Sequence, residues 1–268
     1  MLLWSLLPAA CSPATPAPEG GLVEIEDQAG LSDLATDPDG GLWAVAERPA
    51  ALVQIEPTRR SLPITGLPAG VEPEALSIGP DGALRVGTEG DGQRADDGIY
   101  TLTLTDGGAV AGDRQAFSWS PWGLVAEENQ GIEAMCEGAS RWVAGEPVVV
   151  EQGQRFAPLA RWTGEDWETF RLPLSTANGK ISALACDADG TLWAIERHYQ
   201  DLALLHVNVS EGVTVETCTL PAWLRDPEAN WEGLTLNDNA LYWISDNQNA
   251  TVRGPTLLAR MAKRCSPS

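Results

Sequence analysis

LSDLATDPDGGLWAVAE (31–47) carries a strand, a tight turn and a second strand in one phrase. Leu31, Asp33 and Ala35 alternate with Leu34 in the first strand. DPDGG supplies a turn in which Asp caps the backbone and Gly accepts positive φ, and LWAVA reads as a dense, buried second strand. The phrase returns four more times: EPEALSIGPDGALRVGTE (72–89), GIEAMCEGASRWVAGE (131–146), ISALACDADGTLWAIE (181–196) and WEGLTLNDNALYWISD (231–246). Each copy is followed by further strand-like runs, such as ALVQIEP (51–57), GIYTLTLT (98–105), LARWT (159–163), LALLHVNV (202–209) and TLLARM (256–261). Radial repetition of small antiparallel sheets answers this pattern, so the fold class expected is an all-β propeller of four-stranded blades. Five blades are favoured; a sixth is open if 108–128 hides another strand pair. The last copy lacks a fourth strand while GLVEIED (21–27) is spare at the front. Pairing the two closes the ring and removes both exposed edges.

The 268 residues suit one propeller domain, 21–268. Ahead of it, MLLWSLLPAAC reads as a signal peptide over 1–10 with Cys11 as a lipidation site. CSPATPAPEG (11–20) follows as a flexible tether. This predicts an exported, lipid-anchored protein of the cell envelope, periplasmic or at the outer membrane, and otherwise secreted; a monomer is expected. Net charge is −21, with 17 Lys+Arg of which only Lys180 and Lys263 are lysines, which excludes nucleic acid and anionic lipid surfaces as partners. The four later cysteines permit two disulfides in three pairings, or four buried thiols. Cys136 with Cys186 would join neighbouring blades, and Cys218 with Cys265 would fasten the chain end. The 11 tryptophans suit the widening wedge between blades; Trp122 and Trp231, at a loop and a strand entry, are the two candidates for stacking on a ligand.

Aligning the copies gives two sets of acids. In the first strand one slot reads Ser32, Glu74, Glu133, Ser182, Glu232. At the end of the second strand another reads Glu47, Glu89, Glu146, then Arg197 with Glu196 one place early, then Asp246. Either a bulge restores Glu196 to its slot or an arginine enters the ring. Inner-strand equivalents face the axis of a propeller, so these carboxylates converge and require a positive companion. A hard cation such as Ca²⁺, bound by oxygen, meets that requirement, and the candidate ligands are Glu47, Glu74, Glu133, Glu196, Glu232, Asp246 and Asn247. A solvated rim of independent acids is the alternative. The acidic segment 89–98 adds Asp91, Asp96 and Asp97. Glu133, Glu232 and His198 are the candidate catalytic groups. No G-x-S-x-G, Walker or dinucleotide motif occurs.

NQGIEAM (129–135), NWEGLTL (230–236) and LYWISDNQ (241–248) resemble motifs of a bacterial family of phytase-like propellers, the "esterase-like activity of phytase" family. The resemblance spans roughly 30–250 and implies roles for Glu133, Glu232, Asp246 and Asn247, and for the strand ends at Glu47 and Glu196. Propeller phytases as a class hold Ca²⁺ and use basic side chains on phosphate, which are scarce here. A neutral ester or lactone therefore suits this chain better than a polyanionic phosphoester, with calcium polarising the carbonyl and Glu or His as base toward water. The alternative function is a non-catalytic propeller that binds an envelope protein or glycan.

Overall fold

In the computed structural model the described residues are 20–25, 30–90, 97–125, 127–128, 130–198, 201–225, 229–237, 239–247 and 254–266. The expected leader, Cys11 and the tether up to residue 19 lie outside them, as do Asp91, Asp96, Asn129 and Gln248. A first strand, β1 (Gly21–Ile25), precedes the repeats. The first unit comprises β2 (Leu31–Thr36), β3 (Leu42–Glu47), β4 (Ala50–Glu56) and β5 (Arg60–Thr65). The second has β6 (Glu72–Ile78), β7 (Leu84–Glu89), β8 (Asp97–Thr105) and β9 (Gly108–Phe117). The third has β10 (Ile132–Glu137), β11 (Arg141–Gly145), a short β12 (Val149–Glu151), β13 (Gln154–Trp162) and β14 (Trp167–Pro173). The fourth has β15 (Lys180–Cys186), β16 (Leu192–His198), β17 (Asp201–Asn208) and β18 (Thr214–Cys218). The fifth has β19 (Trp231–Asn237), β20 (Ala240–Ser245) and β21 (Thr256–Ala262), completed by β1.

β1 pairs antiparallel with β21, from Gly21 opposite Arg260 to Ile25 opposite Thr256, so the closing strand comes from the front of the chain as the spare sequence implied. The segment 108–117 is the second unit's own outer strand, and Ser120–Trp122 is a single 3-10 turn, so no extra pair hides there among the described residues. A two-residue parallel pairing of β5 with β9, through Ile64–Thr65 and Ala109–Val110, merges the outer edges of the first two units. The inner strands β2, β6, β10, β15 and β19 lie side by side in a ring, each touching the next and β19 returning to β2.

Five apolar clusters fill the spaces between successive units. Trp43 packs between the first and second units with Leu76, Val86 and Tyr100. Trp142 packs between the third and fourth, and Trp193 and Trp243 between the fourth and fifth. This is the wedge-filling role expected of large rings. Trp122 and Trp231 are corrected by the structure. Both are buried, with Trp122 Nε1 donating to Phe170 O at 2.7 Å and Trp231 Nε1 donating to Leu224 O at 2.9 Å. A ring sealed on both faces with its only polar atom spent offers no platform. The Asp-rich turns are likewise structural: Asp37 accepts from Gly41 N, Asp39 N and Trp43 Nε1, and Asp187 repeats the contact to Trp193 Nε1.

Two disulfides are present. Cys136–Cys186 staples β10 to β15, and Cys218–Cys265 ties β18 to the residues after β21. Their loops span 50 and 47 residues, so each removes substantial entropy from the unfolded chain. The double variant Cys136→Ser/Cys186→Ser should lose about 2–4 kcal/mol of stability, read as a lower urea midpoint. An unchanged midpoint would show that the staple adds nothing to the apolar packing around it.

Candidate metal centre

All five inner strands break register at the same place. The unpaired residues are Ser32, Glu74, Glu133, Ser182 and Glu232, each skipped between a paired residue before it and another after it. A bulge re-aims the extra side chain, and here it does so five times, on the strands nearest the axis. The slot recognised in the sequence is therefore a ring of bulges. The residues paired with the position just before each bulge are Ala46, Thr88, Gly145, Glu196 and Ser245. The next position along holds Glu47, Glu89, Glu146, Arg197 and Asp246, which form a second ring above the first.

Arg197, and not Glu196, therefore occupies the fourth position of that upper ring, and its guanidinium pairs with Glu232. Glu196 is removed from the ligand set. It is fully buried, and its two oxygens accept from Ser175 N and Oγ at 2.7 Å each and from Thr176 N at 2.8 Å and Oγ at 2.6 Å. Four donors saturate the carboxylate, which anchors the loop entering β15. Gly179 belongs to this anchor, since a Cβ there would lie 2.6 Å from the Glu196 carboxyl. Asn247 is held in place at the end of the fifth unit: its Oδ1 accepts Asn230 N at 3.0 Å and its Nδ2 donates to Pro255 O at 2.8 Å. Asp97 accepts Trp119 Nε1 at 2.6 Å and serves the core. His198 ends β16 opposite Asp201, one residue past Arg197. Strand alternation sends it to the other face from the Arg197 side chain.

Several of the remaining acids do meet. Glu47, Glu232 and Asp246 each bring a carboxylate oxygen within 4.8 Å of the others, and Glu47, Glu72 and Glu74 do the same. Glu47 belongs to both groups and accepts Ser32 Oγ at 2.5 Å. Burial pushes the Glu74 carboxyl well above the usual range, and the charges of Glu47, Glu133, Glu89 and Glu232 push it further. Burial, then Glu146, Glu89, Glu232 and Glu47, do the same to Glu133. Glu232 rises to about 8 through burial and through Asp246 and Glu47, against the opposing pull of Arg197, and Glu89 rises to about 7. Three basic side chains border the cluster, each already paired: Arg197 with Glu232, Arg48 with Glu72, and Lys180 with Glu146 at 2.9 Å.

The donor chemistry suits a hard cation. Ca²⁺–oxygen distances of about 2.3–2.6 Å let ligand oxygens lie up to about 5 Å apart around one ion, which the 4.8 Å groups satisfy. Both groups are carboxylates alone, without the imidazole or thiolate that zinc selects. Glu72 enters unpredicted, as the strand partner of Glu89.

One residue at the centre escaped the sequence reading. Asp33 is fully buried just beyond the first bulge, and its oxygens accept Leu34 N and Leu76 N at 2.8 Å each. Burial raises this carboxyl well above its ordinary value, while main-chain N–H groups of Leu76, Leu34, Met135 and Leu234 hold it down. The signal was legible in the repeat: the aligned position reads Asp33, Ala75, Ala134, Ala183 and Gly233, one acid among four small residues.

Solved structures of similar shape include the calcium-binding protein regucalcin from Agrobacterium tumefaciens strain C58, 14% identical over 94% of this chain and 97% of that one, with a TM-score of 0.54. PQQ-bound aldose sugar dehydrogenase from Streptomyces coelicolor is 12% identical, covering 93% of this chain and 99% of that one, with a TM-score of 0.53. A luciferin-regenerating enzyme is 12% identical over 93% and 97%, with a TM-score of 0.51. This chain is a β-propeller. At such identities the neighbours establish the propeller fold alone, and phytases are not singled out among them. No protein-family model and no curated protein matches the chain.

Proposed function

We propose that this propeller is a calcium-dependent hydrolase of uncharged esters or lactones, acting in the axial funnel. The observation that carries the reading is the meeting of Glu47, Glu232 and Asp246 within 4.8 Å, beside buried carboxyls held unusually basic. Those three acids would hold the ion, with Glu74 and Glu72 forming a second group with Glu47. When bound, Ca²⁺ supplies the positive charge that polarises a substrate carbonyl and offsets the acids. Glu133, outside both groups, is the general base. Burial and the charges of Glu146, Glu89, Glu232 and Glu47 raise its pKa well above the ordinary carboxylate value, which makes it a stronger base toward water. The water oxygen then bonds to the carbonyl carbon, and Glu133 returns the proton to the departing alkoxide as the C–O bond breaks. Pairing of Arg197, Arg48 and Lys180 with acids favours an uncharged substrate over a phosphoester. Regucalcin, named for calcium binding, shares the fold. The two disulfides support export, and lipid attachment at Cys11 is part of the same proposal.

A panel of neutral aryl esters and lactones, assayed with EDTA and again after calcium is restored, tests this. Activity should vanish with chelation and return with the ion. Glu133→Gln should lower kcat by about 10²–10⁴-fold while calcium affinity stays near that of the parent. No turnover anywhere on the calcium-loaded panel would overturn the hydrolase reading.

A further inference from the structure

Leu34, Leu76, Met135, Leu184 and Leu234 each stand two residues after a bulge, on the strand edge that faces the axis. An inner strand has no neighbour on that edge, so its N–H groups need acceptors. Two of these amides, those of Leu34 and Leu76, donate to the two oxygens of the Asp33 carboxyl at 2.8 Å each, and the amides of Met135 and Leu234 favour its charged form. They come from four different units. Each of these partners is a donor, a set that a carboxylate satisfies through both oxygens and a carboxamide cannot. The aligned Ala75, Ala134, Ala183 and Gly233 leave the space that the one acid fills. Gly233 is required there, because a Cβ would lie 2.8 Å from Leu34 N and 2.9 Å from the Asp33 carbonyl carbon. On the side away from the acid rings, a cavity of about 80 Å³ is lined by Leu34, Leu76, Met135 and Leu184 with Thr36 and Glu137.

We infer that the propeller axis is a carboxylate-binding site built from main-chain N–H groups of separate blades and occupied by the chain's own Asp33. In that place Asp33 is a positioning residue. It joins the first two inner strands by hydrogen bonds two residues beyond the bulges and attracts the amides of Met135 and Leu234 on two more, and so holds Glu74, Glu133 and Glu232 in one ring. It also closes the axis, leaving the acid funnel and the small cavity on opposite sides of it. None of this depends on the reaction proposed above.

The test is chemical rescue by formate, the smallest carboxylate. Asp33→Ala places at this position the residue that three other units already carry. Its thermal midpoint, measured on the metal-free full chain at pH 7, should fall in sodium chloride by about 10 °C. Sodium formate at equal ionic strength should restore at least half of that loss. Wild type should unfold at the same temperature in both salts, and acetate, larger by a methyl group, should restore less than formate. Asp33→Asn is the second arm: its amide turns donors toward donors, so it should be destabilised and stay so in formate, its side chain already filling the site. Wild-type stability of either variant in chloride, or an equal response of Asp33→Ala and wild type to formate, overturns the inference. Should Asp33→Ala fail to fold in chloride, folding recovered only in formate supports it, and failure in both salts together with a stable Asp33→Asn refutes it.

Discussion

Glu47→Gln will weaken calcium binding by about a hundredfold, equivalent to ~2.7 kcal/mol, and will at the same time stabilise the metal-free protein at pH 8. Both effects follow from one position. Glu47 is common to the two carboxylate groups that can surround an ion, so its loss removes a charged oxygen from each. Affinity in oxygen-ligand sites tracks the number of charged ligands. Without the ion the same carboxylate is a liability, since its charge raises Glu74, Glu89, Glu133 and Glu232 together. Glutamine keeps the shape and the hydrogen bond from Ser32 while removing the repulsion. Titration calorimetry with CaCl₂ and thermal unfolding in EDTA read the two halves separately. Unaltered calcium affinity would remove Glu47 from the site; weaker binding with a lower metal-free midpoint would mean that its role is structural.

The metal-free protein should lose stability as pH rises from about 5 to 9. Glu232 titrates near 8 and Glu89 near 7 in the folded state, both above the ordinary glutamate value of 4.5 that the unfolded chain shows. The folded state therefore holds protons that the unfolded chain has released. Stability from this source is complete below about pH 4.5 and is lost as pH climbs through 7 and 8. With Glu74 and Glu133 shifted the same way, the fall amounts to several kcal/mol, or a drop in Tm of roughly 10 °C between pH 5 and 9. Saturating calcium should abolish the slope, because the ion replaces those protons. Binding at pH 7 should then release protons, visible as a dependence of the apparent binding heat on buffer. A metal-free Tm that stays flat or rises over this range would show that the acids are solvated separately, as at an open rim.

The acids themselves were readable one residue at a time, because the copies align strand by strand and differ in length only at the turn between the first two strands. Glu74, Glu133 and Glu232 share a slot, as do Glu47, Glu89 and Asp246, and the structure groups Glu47 with Glu74 and with Glu232 and Asp246. The failures share a cause. Glu196 and Arg197 are adjacent, and only the pairing of Ile181 with Glu196 decides that the arginine reaches the ring. Trp122 and Trp231 sit where a loop or strand entry suggests exposure, and are buried by neighbours distant in sequence.

By itself the sequence determined the strands, the turns, the repeat and the spare first strand, because alternation and turn chemistry are local and act within a few residues. It also determined that many carboxylates share equivalent places. Only the tertiary structure decided which of them face one another, which are saturated by nearby donors, and that Asp33 ties the amides of Leu34 and Leu76 together across two units at the axis. Those outcomes depend on bulges and on the approach of strands about 50 residues apart in the chain. At such separations a carboxyl's neighbours are set by the closure of the ring, and no local pattern encodes them.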